Sequence, residues 1–156
     1  MKRLLSIKFL VLTLLVAGIS VAAVERPFAA TSSGIATFIF DGNGNPIGAN
    51  VTGSGQATHL GRFTSVGQVF FTPDPDNPII LHPSGQATLT AADGDKVNVV
   101  VTDGSLDVTT GISTGHFRFT GGTGRFANAT GITSLVVEQN FVTGGYELTI
   151  VGNIDY

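Results

Sequence analysis

Residues 85–103 read Gly85-Gln86-Ala87-Thr88-Leu89-Thr90-Ala91-Ala92-Asp93-Gly94-Asp95-Lys96-Val97-Asn98-Val99-Val100-Val101-Thr102-Asp103. Two runs rich in Thr, Leu and Val flank Asp93-Gly94. An Asp-Gly pair supplies two positions tolerant of positive φ, and the turns that match the twist of paired strands need such positions, so the stretch predicts a β-hairpin. Val97, Val99 and Val101 share one face of the second run, because side chains alternate along a strand.

Reading outward from this hairpin, the same rhythm continues from Gly34 to the end of the chain. Short apolar and β-branched runs are broken by turn residues, and no window has helical spacing. The strands are expected at 34–40, 47–58, 61–72, 85–91, 96–103, 112–120, 131–141 and 145–155. Asp41-Gly42-Asn43-Gly44-Asn45-Pro46 is a turn rich in residues that accept positive φ, and Gly144-Gly145 joins the last two strands in the same way. Pro73, Pro75 and Pro78 prevent laddering in the longest irregular connection. In the last strand Tyr146, Leu148, Ile150 and Ile154 share a face, opposed by Glu147, Thr149, Asn153 and Asp155, with Val151 as the exception. Strands joined by short hairpins predict an all-β, eight-stranded antiparallel up-and-down barrel, with a sandwich as the alternative. A barrel of this size has room for side chains or one small ligand.

Ahead of these strands, Met1-Lys2-Arg3 and Lys8 make a cationic start, followed by an uncharged apolar run from Phe9 to Val24. Ala22 and Ala23 supply the small residues of a cleavage site. Residues 1–23 are therefore expected to be a secretory signal peptide, cut after Ala23 with Ala22 and Ala30 as alternatives. The run is shorter than the ~20 residues of a spanning helix, so no stable membrane span is expected in the mature chain. Residues 24–33 show no periodicity and read as a linker, which leaves 34–156 as the barrel domain. The expected location is periplasmic or secreted.

Composition narrows the function. Of the 156 residues, 12% are charged and 42% hydrophobic, which excludes a charge-rich disordered chain. Beyond residue 23 the cations are Arg26, Arg62, Lys96, Arg118 and Arg125, against 11 Asp and Glu, so the mature chain is acidic and nucleic acid is not an expected partner. With no cysteine there is neither a disulfide nor a thiolate metal site. Ser54-Gly55-Gln56-Ala57-Thr58 recurs as Ser84-Gly85-Gln86-Ala87-Thr88, but two copies fall short of a solenoid.

The run Gly115-His116-Phe117-Arg118-Phe119-Thr120-Gly121-Gly122-Thr123-Gly124-Arg125-Phe126-Ala127-Asn128-Ala129-Thr130-Gly131 resembles a signature of the allene oxide cyclase and dirigent barrels. In those families a strand leaves through a Gly-Gly-Thr-Gly-x-Phe-like turn and a single helical turn before the next strand. Gly55 to Thr64 is similar to a run in secreted bacterial proteins of this kind. The resemblance implies a calycin-like barrel, a homo-oligomer (a trimer) and an apolar cavity. Phe126 and Ala129 are spaced to plug one end. The catalytic groups of those families are not carried onto positions of this chain, and the cavity cysteine of the cyclases has no counterpart.

The candidate ligand-binding residues are His59, Arg62, His116, Arg118, Phe117 and Phe119. If they converge, the His and Arg pairs can hold a carboxylate or serve as acid and base. Alternation also accounts for them, with His116 and Arg118 opposite Phe117 and Phe119 on one strand. No catalytic set, metal site or cofactor is assigned. Asp41 to Asn45 begins like a calcium loop, but Pro46 and Thr52 stand where an EF-hand needs Gly and Glu. Gly121 to Arg125 lacks the Lys-Ser/Thr ending of a phosphate-binding loop. Asn50-Val51-Thr52 and Asn128-Ala129-Thr130 fit the glycosylation pattern. The leading expectation is a non-catalytic module that binds a small apolar ligand or acts through its surface. The alternatives are a cyclase, isomerase or dirigent-like enzyme working in the barrel, and a small outer-membrane barrel.

Overall fold

A computed structural model describes residues 24–156. The expected signal peptide, 1–23, lies outside the described residues. The chain forms β1 (Arg26–Phe40), β2 (Pro46–Ala57), β3 (Gly61–Pro73), β4 (Ile80–Ala91), β5 (Lys96–Asp107), β6 (Ile112–Gly122), a 3-10 turn η1 (Gly124–Phe126), β7 (Ile132–Gln139) and β8 (Gly145–Ile154). Each strand pairs antiparallel with the next. β8 pairs antiparallel with β1, and this closes the barrel. The expected eight-stranded up-and-down barrel is the observed fold, and the sandwich is not.

The first turn forms for the reason read from the sequence, whereas at Asp93-Gly94 only Gly94 takes positive φ, at 93°. The Asp41 carboxylate accepts the backbone N–H of Asn43 at 2.9 Å and of Asn45 at 2.8 Å, which folds the first hairpin. At Asp93-Gly94 the Gly94 N–H reaches the Ala91 carbonyl at 3.0 Å, and Ala91 N–H reaches the Asp95 carbonyl at 2.8 Å.

Three strands extend beyond expectation by four residues or more, and β7 is shorter than expected, Ile132–Gln139 rather than 131–141. Residues 24–33, read as a linker, are strand from Arg26 onward, and this half of β1 pairs with β8 from Arg26↔Ile154 to Ser33↔Glu147. The alternation exists, but Ala30 and Ser32 carry it on small side chains behind Phe28, so it has little hydropathy contrast. β4 starts at Ile80 rather than 85, with Pro83 inside it. β5 runs to Asp107 rather than 103 because a bulge after Val101 inserts one residue. The bulge moves the inward face from Val97, Val99 and Val101 to Leu106, and period-two reading loses the strand there.

One end of the barrel is sealed. Phe28 meets Phe119 edge-on at 5.0 Å, and η1 places Phe126 against Tyr156 at 4.8 Å. Phe126 and Ala129 are fully buried, so the plug expected from their spacing is in place. The Gly-rich exit makes this possible: Gly121 and Gly124 have φ of 90° and 56°, a region that favours glycine. Arg125 fastens the plug from outside. Its guanidinium reaches Asp93 at 2.5 Å and Asp95 at 3.1 Å, and donates to the His59 carbonyl at 3.1 Å. The opposite end carries the β1–β2, β3–β4, β5–β6 and β7–β8 connections; no helical turn folds across it among the described residues, and Phe38 packs there against Phe71 at 6.2 Å and Phe141 at 5.4 Å.

Candidate functional site

Above the plug, the inward side chains do not fill the barrel. They leave a lumen cavity of about 130 Å³, bordered by Phe38, Phe71, Phe117, Leu135, Leu148 and Ile150 among others. An engineered cavity of about 150 Å³ lined by Leu, Ile and Phe stays dry and takes up benzene, so this lumen has room for about one ring. The cavity exists because the large inward residues face small ones. Ala36 and Ala49 border it on β1 and β2, and Gly53 leaves the space that the Tyr146 hydroxyl occupies.

The polar groups on this surface are few. Ser32 is buried at 8% exposure, and its hydroxyl has no hydrogen-bond partner among the described residues. Leaving a buried hydroxyl unpaired costs about 1–3 kcal/mol, so this position favours whatever supplies a partner. The Gln139 amide donates to the Gly144 and Gly145 carbonyls at 3.2 and 2.9 Å near the end opposite the plug. Of the titratable residues at the lumen wall, Tyr146 is buried toward the cavity, whereas Asp103 faces outward in register with His116 and its side chain is 64% exposed.

The six residues proposed from the sequence do not converge. Phe117 borders the lumen, and Phe119 lies below it in the plugged core. His116 and Arg118 point to the outer surface of β6, as alternation requires. The His116 Nδ1 sits 2.8 and 3.0 Å from the two Asp103 oxygens, and this holds the Asp103 carboxyl below its ordinary value. His59 lies in the β2–β3 turn with φ of 69°. Its Nε2 is 3.0 Å from the Pro27 carbonyl oxygen, and its ring is 5.6 Å from that of Tyr156. His59 therefore belongs to the sealed end. Arg62 is exposed on the outer face of β3, paired in register with Gln56. The sequence reading missed Ser32, Phe38, Phe71, Leu135 and Tyr146 as one surface. The signal for them was the alternation of β1, β3, β7 and β8, which shows which residues share a face and not that all these faces meet.

A second polar cluster lies outside the wall. The His82 Nδ1 is 3.0 Å from the Gly104 carbonyl oxygen, and its Nε2 is 2.9 Å from Asp74 Oδ2. Asp74 Oδ1 accepts the backbone N–H groups of Asp76 and Asn77, each at 2.9 Å. The hydrogen bond from His82 is the main reason the Asp74 carboxyl is held below its ordinary range, and Asp74 in turn raises His82.

Fold and lumen together define a small closed β-barrel with an apolar, incompletely filled interior. No protein-family model matches this chain, and no curated protein matches it. Among solved structures the chain is similar to the pterocarpan synthase dirigent protein GePTS1. That similarity has 13% identity and a TM-score of 0.48, over 85% of this chain and 86% of that chain.

Proposed function

We propose that the protein is an exported, non-catalytic barrel that holds a small apolar ligand in its lumen. The observation that carries this reading is the apolar cavity of about 130 Å³ above a sealed end. An apolar pocket with a few placed polar groups is the usual form of a small-ligand site. Ser32 is the group that a ligand's single polar atom would satisfy. The outer wall mixes exposed Thr37, Asn50, Gln68 and Asn98 with exposed Ile35, Val66, Ile132 and Val151, so it lacks the continuous apolar band that an outer-membrane barrel turns to lipid, and this favours a barrel that works in water. No helix among the described residues is long and apolar enough to cross a membrane.

The test is a native mass spectrum of the protein in detergent-free buffer, followed by ¹⁹F NMR titration with fluorobenzene. A soluble species that takes up one fluorobenzene per barrel supports the reading, and the subunit number tests the trimer. Ala87→Phe fills the lumen and should abolish uptake while the strand signature of the circular dichroism spectrum is kept. Uptake unchanged in Ala87→Phe would place the probe elsewhere and overturn the lumen site. Enzymatic use of the lumen is the second reading, and it rests on Tyr146 bordering the cavity. A bound molecule released chemically altered would favour it.

A further inference from the structure

The ladder of the barrel wall is interrupted most widely between β4 and β5. Between β4 and β5 the ladder pairs Leu81 with Leu106 and resumes at Gly85 with Val101, so 82–84 and 102–105 are unpaired across this boundary. Pro83 explains half of the gap, since it has no N–H to give the ladder. Its ring lies against Gly104, where a Cβ would be 2.7 Å from Pro83 Cγ. The Gly104 carbonyl oxygen lies 3.0 Å from the His82 Nδ1. The seam lies on the cavity, because Pro83, Val101 and Leu106 border the lumen there.

His82 faces an acceptor at each ring nitrogen, the Gly104 carbonyl and the Asp74 carboxylate. Only imidazolium has two N–H donors. The neutral ring keeps one contact and turns a lone pair toward the other acceptor. The charged groups around it are acidic or already paired: Asp74 and Asp76 lie on the β3–β4 connection, and Asp103 lies on β5 with His116 of β6 as its partner. Thr72 is opposite on β3. We propose that this seam is a side portal into the lumen, latched by protonated His82 and loosened when His82 loses its proton. The proposal rests on the lumen-binding reading for its purpose and on the seam geometry for its mechanism.

The direction with pH follows from the two partners. Asp74 and the Gly104 carbonyl raise His82 above 6.5, so the latch holds below that value and is lost as the pH rises through the raised one. Asp74 is held below 3.8, so its side of the pair fails only in strong acid.

Amide hydrogen exchange at residues 81–85 and 101–106, expressed as protection against the intrinsic rate, tests the latch from about pH 5.5 to about pH 8, the range in which histidine changes charge. Protection should fall about fivefold as the pH rises, the scale of one exposed ion pair, and fluorobenzene exchange followed by ¹⁹F NMR should quicken with it. His82→Gln should remove the pH step, while His116→Gln should keep it. Asp74→Asn gives the same test if His82→Gln folds poorly. Flat protection in the native protein, or a step that survives in His82→Gln, overturns the latch. A seam that loosens without faster fluorobenzene exchange overturns the portal and leaves the carrier reading standing. Absence of fluorobenzene uptake at every pH overturns the lumen reading and the portal, and the exchange data still decide the latch.

Discussion

Ser32 shows how one residue's meaning depends on its neighbours. In the sequence it is a serine in a stretch without contrast. In the barrel it is a buried hydroxyl with no partner among the described residues, facing an apolar cavity. A group of this kind lowers the stability of the empty barrel and favours a ligand that can hydrogen-bond to it. Ser32→Ala should therefore leave the unfolding free energy of the ligand-free protein unchanged or raise it by about 1 kcal/mol, in contrast to the usual loss on truncating a buried side chain. Urea denaturation of the two proteins decides it. A clear loss would mean that the hydroxyl is satisfied in the empty protein. The six sequence candidates make the complementary point. His116, Phe117, Arg118 and Phe119 were correctly split between two faces, and the outward pair does not reach the cavity that Phe117 borders.

At the scale of elements, the sealed end was the part best announced by the sequence. Gly121 to Gly131 contains residues for a tight exit, one helical turn and two plug side chains, and the structure uses them so. Phe126 is completely buried, and its removal leaves a cavity the rigid barrel end cannot close. Phe126→Ala should cost about 3–5 kcal/mol of unfolding free energy, read from the shift of the urea midpoint. A loss under about 1 kcal/mol would show that the end is closed by other groups. The β4–β5 pair shows the opposite case. The Asp93-Gly94 hairpin was plain, but both strands run past their expected ends through Pro83 on one side and the bulge after Val101 on the other. A proline inside a strand and a shift of inward parity each break the pattern on which period-two reading depends.

For the whole molecule, closure is the decisive event. Seven of the pairings join consecutive strands, whereas β1 with β8 brings together the two ends of the described chain. Because residues 26–33 carry most of that pairing, a chain beginning at residue 34 should fail to close. It should aggregate or lose its cooperative unfolding transition, since β8 and part of β2 are left with open edges. A chain beginning at residue 24 should unfold in one transition. Sedimentation and thermal circular dichroism of both chains make the comparison. If the chain beginning at residue 34 remained soluble and cooperative, the first half of β1 would be dispensable, as a linker would be.

The sequence by itself determined the all-β class, the number of strands, most of the hairpins and the plug, because these depend on alternation and on turn residues within a few positions of each other. It also placed Phe117 and Tyr146 on inward-capable faces. Only the tertiary structure decided that 26–33 is a strand, since its partner is the far end of the chain. It alone joined the separate faces into one cavity, left Ser32 unpaired beside it, and set His82 between Asp74 and Gly104 across an unladdered seam. Those features are distances between residues remote in sequence, and they exist only after the barrel has closed.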